Sequence, residues 1–120
     1  MFVTKIFKFD AAHNLINYHG KCEKLHGHTY RLEVTVSGEL NEEMMVFDFI
    51  QLKELVKNRV LDILDHSYLN ELIEQPSAEN IAIWIWDRIQ GDLKTDKYHL
   101  YEIKVYETQN SYVTYRGDGI

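Results

Sequence analysis

Residues 29–37, TYRLEVTVS, alternate strictly between polar and apolar side chains, and this pattern constrains the fold more than any other in the chain. Successive side chains of a β-strand point to opposite faces, so the alternation predicts a strand with one buried face and one exposed face. The apolar side chains stand at the even positions, which are Tyr30, Leu32, Val34 and Val36. Such a strand is typical of an antiparallel sheet that covers a core with one face only.

The other predicted elements surround two helices with strands. Three further segments predict strands because they are rich in β-branched and aromatic residues: 2–9, 100–107 and 112–116. Apolar residues spaced three to four apart predict a helix that begins after Asp48 and ends near Asp65. A second helix, with Ser77 as its N-cap, ends near Ile89. The order β-β-α-α-β-β predicts an α+β fold, an antiparallel sheet with both helices on one face.

Length and charge exclude several classes of function. The chain has 120 residues and a formal net charge of -6, which argues against a nucleic-acid or anionic membrane surface. The longest apolar run, residues 81–86, is too short to span a bilayer, and the N-terminus has no apolar leader segment. We therefore expect a single cytoplasmic domain over residues 1–120, with exposed sheet edges that favour oligomers.

Three histidines fall on the buried side of two neighbouring strands. His26 and His28 share the parity of Tyr30, so both imidazoles point inward if the strand extends back to them. His13 shares the parity of Phe9 and can come from the neighbouring strand's end. Buried imidazoles need partners, and three of them around an open position match a zinc centre that binds water or substrate. The alternative is a set of core histidines that donate hydrogen bonds to the backbone.

Cys22 is the chain's single cysteine, and its spacing leaves three interpretations open. It is a fourth ligand that closes the metal site, an activated thiolate near a cation, or an inert buried thiol.

Two carboxylates also have alternative interpretations. Glu107 shares its parity with Tyr101, Ile103 and Val105, so it ends a mostly apolar row. There it suits a ligand with two parallel N–H groups, or it is a solvated side chain at a strand end. Asp65 and His66 are adjacent, and such a pair either caps a helix or orients the imidazole for proton transfer.

Six motifs that together run along nearly the whole chain resemble the 6-pyruvoyl-tetrahydropterin synthase family. They are FDAAH at 9–13, CEKLHGHTY at 22–30, VFDF at 46–49, LDHSYLN at 64–70, PSAEN at 76–80 and VYET at 105–108. Ser77 is a mild departure, because the family often has threonine there. The three residues between Cys22 and His26 resemble the branch that forms a 6-carboxy product, since the pyruvoyl-forming branch typically has a longer spacing.

The resemblance implies a role for each candidate residue. The zinc ligands would be His13, His26 and His28. Cys22 would be the proton acceptor, and His66, oriented by Asp65, would be its relay partner. Glu107 would bind the 2-amino and N3–H edge of a pterin and is a candidate member of the relay.

The same resemblance implies the tunnelling fold, in which sheets join edge to edge around a trimer. Two trimers would stack into a homohexamer with active sites at subunit interfaces. The implied reaction converts 7,8-dihydroneopterin triphosphate and water to 6-carboxy-5,6,7,8-tetrahydropterin, acetaldehyde and triphosphate, on the route to queuosine. Zn²⁺ would act as a Lewis acid toward the substrate's side-chain hydroxyls. A pyruvoyl-forming synthase and a non-catalytic zinc- or pterin-binding module are the alternatives.

Overall fold

A computed structural model describes residues 1–118 and contains a five-stranded sheet packed against helices. Its elements are, in chain order, β1 Phe2–His13, β2 His26–Gly38, α1 Phe49–Val56, α2 Asp62–Leu64, β3 Ser67–Tyr68, α3 Ala78–Ile89, β4 Tyr98–Thr108 and β5 Ser111–Tyr115. A π-helical turn, Lys57–Leu61, joins α1 to α2 into one helical stretch. The strand order is β3-β1-β2-β4-β5. The predicted α+β architecture, with two helical stretches on one face of the sheet, is confirmed.

Both helical stretches begin at the predicted N-caps. The carboxylate of Asp48 accepts a hydrogen bond from the N–H of Ile50 at 3.1 Å, and the hydroxyl of Ser77 accepts one from the N–H of Asn80 at 3.2 Å. Each cap satisfies a backbone donor that has no partner inside the helix. Within residues 1–118, none of the helices is long and apolar enough to cross a membrane.

Strands β1 and β2 extend beyond the residues predicted for them, and the added residues carry the histidines. They pair without a register shift from Phe2 opposite Ser37 to His13 opposite His26. The odd residues of β1 and the even residues of β2 face the core. The predicted parity of β2 is therefore present in the structure, and it continues through His28 to His26.

Two features of the sheet differ from the sequence expectation. Strand β3 was not predicted, because a two-residue strand has no periodicity, and it pairs with β1 in parallel. In β4, a register shift places Leu100 rather than Tyr101 opposite Val36 on the buried face. Tyr101 instead packs against Phe2, with ring centroids 4.5 Å apart. The predicted apolar row leading to Glu107 is therefore wrong at Tyr101.

Candidate active site

Three imidazoles converge where β1 and β2 meet the loop that joins them. One ring nitrogen from each of His13, His26 and His28 lies within 4.8 Å of the others. His13 is only 1% exposed, and the other two are half-buried. The register brings the rings together, because it pairs His13 with His26 and Ala11 with His28.

Backbone carbonyls determine which nitrogen carries the proton in two of these rings. Nδ1 of His13 lies 2.8 Å from the carbonyl oxygen of Pro76, and Nδ1 of His26 lies 2.8 Å from that of Lys24. A carbonyl oxygen only accepts hydrogen bonds, so each Nδ1 donates and each Nε2 of a neutral ring has a lone pair. The two Nε2 atoms lie 3.1 Å apart. Two lone pairs at that distance repel unless a proton or a metal ion lies between them.

His28 supplies a third nitrogen that needs a partner. Its Nε2 is buried and makes no hydrogen bond to any residue in the described part of the chain. Burial lowers the pKa of His28 from its usual 6.5, Glu107 opposes this, and His13 and His26 lower it further. The neutral form, which can bind a metal, is therefore favoured. Three such nitrogens fit Zn²⁺, which takes three protein ligands and keeps one open position in catalytic centres.

Glu107 adjoins this centre from β4. Its Oε1 lies 3.4 Å from Nε2 of His28, and its side chain is 34% exposed. A register shift between Tyr106 and Thr108 interrupts the pairing with β5 at this point. The structure therefore places a partly buried carboxylate beside the histidines, where it can accept hydrogen bonds from a bound molecule.

Cys22 lies in the loop between β1 and β2, and its thiol is exposed. Among residues 1–118, its sulfur does not belong to the group of candidate ligand atoms that the three histidines form. Within one chain the expectation of a buried thiol is therefore wrong, and the geometry gives no support to a fourth metal ligand.

Asp65 and His66 follow the first helical stretch and belong to a second group of ionisable side chains, together with Asp10. Asp65 Oδ1 lies 3.2 Å from Nδ1 of His66 and accepts the backbone N–H of Asp10 at 3.0 Å. The N–H of His66 donates to the carbonyl of Asp10 at 2.6 Å. The N–H of Asp10, and then the imidazole of His66, lower the pKa of Asp65. The ionised carboxylate is thus placed to orient the exposed ring of His66.

The two groups of side chains lie on opposite faces of the sheet. Asp10 is an even residue of β1 and accepts a hydrogen bond from Thr29, an odd residue of β2, on the face away from the helices. His13 and His28 point to the buried face. Within one chain, the structure therefore brings Glu107, but not Asp65 and His66, to the three histidines.

Comparison with known proteins gives a family match over nearly the whole described chain. The sequence model of 6-pyruvoyl tetrahydropterin synthase matches residues 2–118. The chain is 34% identical over 140 residues to 6-carboxy-5,6,7,8-tetrahydropterin synthase of Haemophilus influenzae, covering 95% of this chain and 97% of that relative. It is 44% identical over 98 residues to dihydroneopterin monophosphate aldolase of Pyrococcus furiosus, covering 78% and 82%.

A solved structure agrees with these sequence matches. The 6-pyruvoyl tetrahydropterin synthase of Caenorhabditis elegans aligns with a TM-score of 0.82 at 26% identity, covering 98% of this chain and 96% of that one. The chain therefore belongs to the 6-pyruvoyl tetrahydropterin synthase family.

Proposed function

We propose that the protein is a zinc-dependent synthase that acts in queuosine biosynthesis. It converts 7,8-dihydroneopterin triphosphate and water to 6-carboxy-5,6,7,8-tetrahydropterin, acetaldehyde and triphosphate. The observation that supports this most strongly is the convergence of three imidazole nitrogens beside a partly buried carboxylate. The three-residue spacing between Cys22 and His26 favours the carboxy product, and the Haemophilus relative, similar along both chains, is named for that product.

Each residue then has a chemical task. Zn²⁺ held by the three histidines would polarise the hydroxyls of the substrate's side chain. Glu107 accepts two N–H groups from the pterin edge, which fixes the ring beside the histidines. Cys22 as thiolate takes a proton from one face of the substrate's side chain. His66, oriented by Asp65, transfers a proton on the opposite face of that side chain.

The proposal requires a second subunit. Asp65 and His66 lie on the sheet face away from the histidines, so another copy of the chain must supply them to a complete site. Among residues 1–118, β3 pairs only with Ala11 and Ala12, so most of that edge of β1 is open, and β5 is the opposite edge of the sheet. We propose that these edges join in a cytoplasmic homohexamer of two stacked trimers.

Product identification tests this function. Zinc-loaded protein is incubated with 7,8-dihydroneopterin triphosphate, and the pterin product is identified by mass spectrometry while acetaldehyde is assayed enzymatically. We expect 6-carboxy-5,6,7,8-tetrahydropterin with acetaldehyde. Pyruvoyl-tetrahydropterin without acetaldehyde would contradict the proposal and identify a pyruvoyl-forming synthase.

A parallel incubation tests the activity by which the Pyrococcus relative is named. The substrate is 7,8-dihydroneopterin monophosphate. Release of a phosphorylated aldehyde from it, with no carboxypterin from the triphosphate, would identify an aldolase. Binding of zinc and pterin without turnover of either substrate would indicate a non-catalytic module.

A further inference from the structure

Two of the three residues after His13, Asn14 and Ile16, form backbone hydrogen bonds with side-chain amides from a distant segment. The N–H of Asn14 donates to Asn70 Oδ1 at 3.0 Å, and Asn70 Nδ2 donates to the carbonyl of Asn14 at 2.7 Å. The N–H of Ile16 donates to Gln75 Oε1 at 2.7 Å, and Gln75 Nε2 donates to the carbonyl of Ile16 at 2.9 Å. Each amide thus satisfies both backbone groups of one residue, as a neighbouring strand would.

Leu15, between these two residues, pairs with the part of the loop that bears the cysteine. The N–H of Leu15 donates to Glu23 Oε1 at 3.1 Å, and the N–H of Glu23 donates to the carbonyl of Leu15 at 2.9 Å. The hydrogen-bond partners of residues 14–16 alternate, as they do for successive residues of a strand. Asn14 and Ile16 bind the two amides, and Leu15 between them binds Glu23, the residue next to Cys22.

The loop has few other restraints near the cysteine. Between β1 and β2, an isolated bridge joins Tyr18 to Lys21, and the turn there places Asn17, His19 and Gly20 at positive φ. Ordering such a loop costs conformational entropy, so the position of an exposed side chain depends on the backbone pairings that remain. Two such pairings flank Cys22: Lys21 pairs with Tyr18 inside the loop, and Glu23 pairs with Leu15, which connects the loop to the end of β1.

We propose that Asn70 and Gln75 are positioning residues for Cys22. By binding the backbone of Asn14 and Ile16, they fix the pairing of Leu15 with Glu23 and so set the thiol's position relative to the histidines. Gln75 also precedes Pro76, whose carbonyl accepts the Nδ1–H of His13, so one turn holds both a candidate metal ligand and the thiol's loop. This inference rests on the proposed function, in which Cys22 is the proton acceptor.

The test uses substitutions that replace the amide's N–H donor with a carboxylate oxygen. Gln75→Glu and Asn70→Asp keep size and shape but turn an oxygen toward the carbonyl that the N–H group contacted. The matched controls are Gln51→Glu and Asn58→Asp, at exposed positions of the first helical stretch. Because Cys22 is the single cysteine, a nitroxide label attaches there without other changes, and its electron paramagnetic resonance line shape reports loop order. Zinc content and circular dichroism establish that each variant is folded. If one test variant does not fold, the other is sufficient to test the proposal.

The expected results separate positioning from a general loss of structure. In both test variants we expect a new mobile component in the label's spectrum. We also expect kcat of the unlabelled protein to fall about 10- to 100-fold, with KM and zinc content near wild type. The controls should match the wild type in every measurement. Test variants that keep the wild-type line shape would overturn the proposal, whether or not kcat falls. If the line shape changes while unlabelled wild-type protein fails to turn over the substrate, the restraint on the loop is supported and the proposed function is contradicted.

Discussion

The Nε2 atoms of His13 and His26 lie 3.1 Å apart, while the opposite nitrogen of each ring donates to a backbone carbonyl. This arrangement is unfavourable for two neutral rings alone and favourable when both share a cation. His28 adds a third buried nitrogen on the same side of the sheet. The three histidines therefore form a group that can hold a metal ion, before any substrate is considered.

Replacing one of these histidines should remove the metal. We expect His26→Ala to weaken zinc binding by more than about 100-fold. Removing a residue that only hydrogen-bonds to a metal ligand typically weakens metal binding about 10- to 100-fold, and loss of the ligand itself should cost more. Zinc per chain is measured by atomic absorption after dialysis against a competing chelator. His99→Ala, at an exposed histidine in β4, is the matched control and should retain its zinc. Equal zinc content in the two variants would contradict the ligand assignment.

Replacing the cysteine should separate metal binding from turnover. Cys22→Ala is expected to keep the fold and a full complement of zinc, because the exposed thiol lies outside the ligand group. Turnover should fall about 10²- to 10⁴-fold, the usual contribution of a group that transfers protons. Steady-state kinetics and metal analysis of the same sample check this. Loss of zinc in this variant would instead make Cys22 a structural ligand.

Glu107 should determine pterin binding. Hydrogen bonds to a charged group contribute about 1.5–3 kcal/mol, so Glu107→Ala should weaken binding of neopterin at least about tenfold. Fluorescence titration of zinc-loaded protein measures the affinity. Glu54→Ala, at an exposed position of α1, serves as the control. An affinity unchanged by Glu107→Ala would rule out the proposed contact.

Asp65 should make a pH-dependent contribution to stability. Its folded-state pKa lies below the usual 3.8, first because the N–H of Asp10 donates to it. The stabilisation is therefore complete above pH 3.8 and is lost as the pH falls through the lower folded-state value. Urea unfolding should show Asp65→Asn to be less stable than wild type near neutral pH, with a difference that narrows below pH 3.8.

The exposed residue Asp87 in α3 provides the comparison for this pH dependence. Asp87→Asn should change stability little at any pH. A difference between Asp65→Asn and wild type that stays constant, or grows, as the pH falls would show that the carboxylate's hydrogen bonds do not stabilise the fold.

The strand period made the histidine geometry predictable. His26 and His28 lie two residues apart and in phase with Tyr30, so a strand that continues through them must place both rings on the buried face. The caps at Asp48 and Ser77 were predictable for a similar reason, since their side chains satisfy free backbone donors at a helix start.

Other parts of the site had no signal in the sequence. The partners of His13 and His26 are the carbonyls of Pro76 and Lys24, and every residue offers a carbonyl, so residue type cannot identify them. The position of His66 depends on a loop after the helix, where neither helical nor strand periodicity applies.

Irregular backbone was equally impossible to predict from the sequence. Leu100 replaces Tyr101 on the buried face because of a single register shift, which inverts the parity of every residue on one side of it. The amide pairs of Asn70 and Gln75 join residues more than fifty positions apart in the chain, beyond the reach of any local pattern.

The proposed reaction is tested most directly by the molar ratio of acetaldehyde to carboxypterin formed from 7,8-dihydroneopterin triphosphate, with and without zinc. Zinc-reconstituted wild-type protein should form equal amounts of the two products, and neither product should form after the metal is removed by chelation. Formation of a reduced pterin product without acetaldehyde, or equal rates with and without the metal, would contradict it.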